Sequence, residues 1–166
     1  MASTIFGATP YQYQGNAANL RYGAAGKNSE VITANDPLTI ASGVIKVVSA
    51  ATDPIIGVAV ATKTMGAANQ TINTSTVYPA YIPADEEIVF LMGCNTALTG
   101  NSTDVGKYFG LTGSTGAVQV NVSGSVTTTT SRQVVIIKVD PYGLGTTEGL
   151  SEVLVKFFNA PSRDSN

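Results

Sequence analysis

The chain has 166 residues, of which 12% are charged, a net charge of −2 and no histidine. That length suits one domain with an added arm, and the charged share is about half the usual one. Without histidine the commonest general base and metal ligand are gone, and the single cysteine excludes an internal disulfide or a structural zinc site within one chain.

No run of Lys or Arg occurs, so the electrostatic footprint of nucleic-acid binding is missing. No basic amphipathic segment suits a membrane surface. The opening MASTIFGATPYQYQG has neither a charged n-region nor a continuous apolar h-region, so it does not read as a secretory signal. The longest apolar runs, near Ile55–Ala61 and Ile88–Gly93, are far below membrane-spanning length.

Residues 1–34 read as an extended arm. PYQYQGNAANLRYGAAGKN sustains neither helical nor alternating periodicity, and Gly15, Gly23 and Gly26 interrupt any helical turn. Tyr11, Tyr13, Leu20 and Tyr22 are its candidate partner contacts, since tyrosine offers rigid, amphipathic contact area. The other reading is that the arm folds back over its own domain.

Residues 35–158 read as a β domain. Asp36-Pro37 opens PLTIA, and Ser42-Gly43 turns it into VIKVVSA. Asp53-Pro54 opens IIGVAVATKT, where Gly57 marks a bulge or a close approach of another backbone. NQTINTSTVYPAY fits a long exposed strand, with Pro79 at an edge or bulge, and EIVFLMGC an apolar strand buried on at least one face. A loop-rich zone holds short strands around Tyr108–Leu111 and Ala117–Val122. QVVIIKVDPYG is the longest β-branched run, and EVLVKFF alternates with Val153, Val155 and Phe157 on one face. Residues 159–166 form a polar tail. The expected fold is all-β: a small sandwich or barrel of about 8–10 short strands, with an extended N-terminal arm.

Motifs that carry chemistry are missing or imperfect. GNSTDVGKY puts five residues, not four, between its first Gly and the Gly-Lys pair, and precedes a strand rather than a helix, so it is no phosphate loop. GLTGSTG reads as a hairpin turn. Asp85, Glu86 and Glu87 read as a solvated turn rather than a calcium loop. Cys94 has no basic neighbour in sequence and reads as a buried structural thiol. Sequons at Asn69, Asn73, Asn101 and Asn121 mark surface loops at most. The residues argue against an enzyme, and no cofactor or metal is expected.

The order of these segments resembles the decoration, or cement, proteins of tailed-bacteriophage heads. The likeness runs from about Asp36 to Phe158, through the strand pair, IIGVAV, DVGKYFGL, the Gly-rich hairpin, QVVIIKVDPYG and VLVKFF. The resemblance implies a homotrimeric virion protein, made in the bacterial cytoplasm, that sits on the outer surface of the capsid. It would stabilise the shell by bridging subunits of the major capsid protein. The family has no catalytic residues to carry over. The alternative is a receptor- or carbohydrate-binding module of a phage head or tail fibre, using Tyr78, Tyr81 and Tyr108; a tail-tube or head-completion part is a third reading.

Overall fold

The computed structural model describes residues 3, 5–12, 25–66, 79–84, 88–98, 101–126 and 131–158. Over these the protein is all-β, with three antiparallel sheets, none closed into a barrel, an arrangement compatible with a small sandwich.

The first sheet has four strands in the order β4-β3-β5-β7. Strands β3 (Pro37–Ala41) and β4 (Val44–Val47) form a hairpin in register Ala41↔Val44. Its two-residue turn places Ser42 at φ 52° and Gly43 at φ 79°. Two positive φ values give the turn whose twist matches the flanking strands, so Ser42-Gly43 acts as the sequence implies. Strand β5 (Gly57–Ala59) pairs with β3 on one side and β7 (Tyr81–Pro83) on the other. A Cβ at position 57 would run into the Ile82 carbonyl and the Tyr81 ring, so Gly57 marks a close backbone approach. Strands β2 (Val31–Ile32) and β6 (Lys63–Thr64) make the small two-stranded sheet.

The second large sheet has six strands in the order β1-β8-β12-β11-β9-β10. Its centre is β8 (Val89–Gly93), β12 (Glu152–Phe157) and β11 (Val134–Val139). Period-two alternation decides which side each residue faces. Phe90, Met92, Val153, Val155, Phe157, Val134 and Ile136 enter the core. Val89, Leu91 and Leu154 form a second buried cluster, with Ile5 packed against it. Residues 88–94 are therefore buried on both faces. The Phe90 and Phe157 rings lie 4.8 Å apart, a contact that adds about 0.5–1.5 kcal/mol beyond area burial. A bulge between Ile136 and Lys138 turns Ile137 out to solvent.

Strands β9 (Tyr108–Thr112) and β10 (Gln119–Asn121) follow one helical turn, α1 (Asn101–Asp104). The sheet curls until Cys94, just past β8, meets Val120 of β10 in a single parallel bridge. Residues from both large sheets, including Leu38, Ile45, Val58, Phe90 and Phe157, share one continuous core.

The segment read as an arm contributes to this fold. Ala8–Gln12 is strand β1, antiparallel to β8, and Ala8 is wholly buried. Val31–Ile32 likewise belongs to a sheet. Twelve strands are present among the described residues, against about 8–10 expected. The surplus comes from β1, and from two-residue strands too short to show alternation.

Candidate partner-binding surface

Of the arm residues singled out as contacts, Tyr11 lies on β1, while Tyr13, Leu20 and Tyr22 lie outside the described residues. Strand β1 is an edge strand, the position at which another chain can add a strand. Its donors do not favour that use. The Ala8 N–H points away from β8 and donates to the Asn35 carbonyl at 2.8 Å. Alternation makes Pro10 the next outward position, and proline has no N–H. The edge carries its own stop signal, and side chains rather than backbone are what it can offer.

The side chain it offers is Tyr11, 45% exposed. Its ring meets that of Tyr142 edge to face, with centroids 6.5 Å apart. Tyr142 and Leu144 are 56% and 54% exposed, the two most exposed of the large apolar side chains described. Both belong to the connection between β11 and β12, which begins at the third Asp-Pro pair, Asp140-Pro141.

This connection is a bonded knob rather than a slack loop. Asp140, at φ 49°, accepts the Leu144 and Gly145 amides on its two carboxylate oxygens at 2.9 and 2.8 Å. Its backbone carbonyl accepts Gly143 N–H at 3.0 Å. The amides of Gly145 and Leu144 hold the Asp140 carboxyl below its usual range. Gly149 leaves room for that carboxylate, which a Cβ there would strike. Further on, Leu150 N–H donates to Thr146 O and Ser151 N–H to Glu148 O, each at 2.9 Å. Lys138 Nζ donates to Pro141 O at 3.2 Å. Glu152 sits at the base of the knob; burial pushes its carboxyl up, and the charges of Glu148 and Asp140 push the same way.

A second aromatic group lies at the far end of β12. Tyr108 is half-buried; its ring contacts Phe158 at 4.6 Å, and the Arg132 guanidinium sits 4.6 Å from its centroid. Tyr81 is buried. Two of the three tyrosines assigned to glycan contact are therefore not freely exposed, and Tyr78 lies outside the described residues. Asp85, Glu86, Glu87 and the tail 159–166 lie outside them too.

Among the described residues no group of three or more His, Cys, Asp or Glu side chains is placed to hold a metal ion. Cys94 is buried, and burial together with the nearby Asp104 charge pushes its thiol up to about 12. The helical turn Asn101–Asp104 is followed, after residues 105–107, by β9, so NSTDVGKY does lead into a strand.

Tyr142 and Leu144 are not evident from the sequence, because Asp140-Pro141 and the glycines after it read as turn residues closing the Val134–Val139 strand. The available signal was the pair of large apolar residues set between glycines, at positions where folding needs only turn residues. No protein-family model, curated protein or solved structure matches the chain.

Proposed function

We propose that the chain is a structural protein of a tailed-phage virion, which binds the outer surface of the capsid and bridges major capsid subunits. One observation carries the reading: the ordered series of turn and strand segments from Asp36 to Phe158 that resembles the cement proteins. In the fold, the most extended of those segments become β11, the Asp140 knob and β12. The likeness brings with it a trimer and a place on the outside of the shell.

Physical features agree with such a part. A decoration protein works by many modest contacts repeated over a lattice, so avidity does the clamping. The rigid core and the exposed apolar side chains of the knob and β1 suit that task better than a deep cleft would. The sparse charge of the chain suits contacts that are partly apolar.

Copy number tests the reading. Quantitative gel densitometry of purified virions should give hundreds of chains per particle, released by mild denaturant while the shell remains intact. A handful per particle, or none, rejects it.

A further inference from the structure

We infer that the Asp140–Ser151 knob, together with Tyr11, is the surface that docks on the shell, and that it fits an apolar depression rimmed by lysine or arginine. The identity of the partner rests on the capsid reading above; the surface and its chemistry rest on the knob itself.

Tyr11 and Tyr142 touch ring to ring and are both exposed, and Leu144 is exposed two residues further along the same connection. The amides of Gly143, Leu144, Gly145, Gly149, Leu150 and Ser151 are all bonded within the knob, through Asp140, Thr146 and Glu148, so its shape exists before any partner arrives. A surface ordered in advance loses little conformational freedom on binding, and tyrosine is a favoured anchor at the centre of interfaces.

Charge selects the occupant. Three carboxylates, Asp140, Glu148 and Glu152, lie around the knob, and the exposed one is Glu148. The lysine beside them, Lys138, is bonded to Pro141 O and sits near Asp140. Three carboxylates against one lysine leave the knob and its base with a net charge of −2, with Glu148 and Lys138 the exposed members and Asp140 and Glu152 buried beneath them. Two copies of this patch face to face would set carboxylate against carboxylate, so self-pairing through it is disfavoured. A basic rim meets both requirements.

The test uses the full chain and phage heads purified without it, in a co-sedimentation titration. The double variant Tyr142→Ala/Leu144→Ala should bind about 30-fold more weakly, as for loss of interface anchors. Glu148→Lys should also bind more weakly, with the deficit shrinking as salt rises. Ile40→Thr, on the four-stranded sheet, serves as the control for an exposed apolar residue elsewhere. Far-UV circular dichroism and thermal melting establish that each variant is folded. Folded Tyr142→Ala/Leu144→Ala protein binding within twofold of wild type overturns the inference and leaves the capsid reading standing. Tighter binding by Glu148→Lys overturns the basic rim. Failure of the wild-type chain to bind heads at all overturns the capsid reading and the assigned partner together.

Discussion

Asp36 and Gly116 are 80 residues apart in sequence, yet the Asp36 carboxylate accepts the Gly116 N–H on both oxygens, at 2.9 and 3.1 Å. The same carboxylate accepts Thr33 N–H at 2.8 Å. One buried side chain thus ties the entry of β3 to the β9–β10 hairpin, and so couples the two large sheets. Replacing it by alanine leaves both amides without this acceptor, at about 1–3 kcal/mol each if they stay buried. Asp36→Ala should therefore lower the urea midpoint with an unchanged slope. An unaltered midpoint would show that water replaces the carboxylate at no cost.

Asp36 and Asp140 respond to acid in opposite senses. Burial outweighs the amides of Thr33 and Gly116 and, with Glu30, raises the Asp36 carboxyl above its ordinary value of 3.8. Its ionisation therefore subtracts from stability, and the deficit disappears as pH falls through the raised value. The amides of Gly145 and Leu144 lower Asp140, so its contribution is present above 3.8 and is lost as pH falls through the lowered value. The stability gap between wild type and Asp140→Ala should be level near neutrality and narrow below pH 3.8. Urea titrations at several pH values measure it, and a gap that widens on acidification contradicts the assignment.

Gln133 is wholly buried and saturated with bonds. Its Oε1 accepts Leu111 N–H at 2.7 Å, and its Nε2 donates to the carbonyls of Ala50 and Asp53 at 3.0 and 2.9 Å. Gln133→Leu keeps the bulk but takes this partner from the Leu111 N–H and the Asp53 carbonyl, while the Ala50 carbonyl keeps its bond from Asp53 N–H at 3.0 Å. The expected loss is about 3 kcal/mol or more, read as a fall in the unfolding midpoint. Gln133→Glu should also destabilise, because it removes both donated bonds and buries a charge.

Gly57→Ala tests a different physics. The new methyl group has the Ile82 carbonyl and the Tyr81 ring in its way, so β5 and β7 must separate. Overpacking of this kind costs about 1–3 kcal/mol. Gly43→Ala makes the comparison, since nothing lies within 4 Å of a Cβ there and only the positive φ of 79° opposes it. Equal melting temperatures for wild type and Gly57→Ala would show that the sheet yields freely.

Cys94 should be silent to thiol reagents. It is buried, its thiol is raised to about 12, and thiolate is the reacting form. Ellman's reagent at pH 8 should detect no thiol in native protein and one per chain in denaturant. Rapid native labelling would mean that the Cys94–Val120 bridge opens readily.

Much of this architecture was legible in the residues. Ser42-Gly43 announced its hairpin, Gly57 its crowded neighbour, and the alternation of EVLVKFF the inward face of β12. These signals are local: a turn residue or a period of two speaks for its own segment. What escaped was long-range. Nothing near Ala8 in sequence shows that Met92 will be its partner, and a five-residue edge strand carrying a proline has a weak pattern. The carboxylate of Asp36 was read as half of a turn, and its second bond to Gly116 depends on packing. The knob was hidden for the same reason: Tyr142 becomes a candidate only when the fold sets it beside Tyr11.

Strand β1 has a further consequence during synthesis. Its partner β8 is translated some 80 residues later, which at about 5–20 residues per second is roughly 4 to 16 seconds. Throughout that interval the nascent chain carries a strand with nowhere to go. Pro10 and the Asn35 carbonyl, which arrives much sooner than β8, limit what Ala8–Gln12 can stick to in the meantime. Where many copies are made at once, that restraint separates a growing chain from its neighbours until its own sheet is ready.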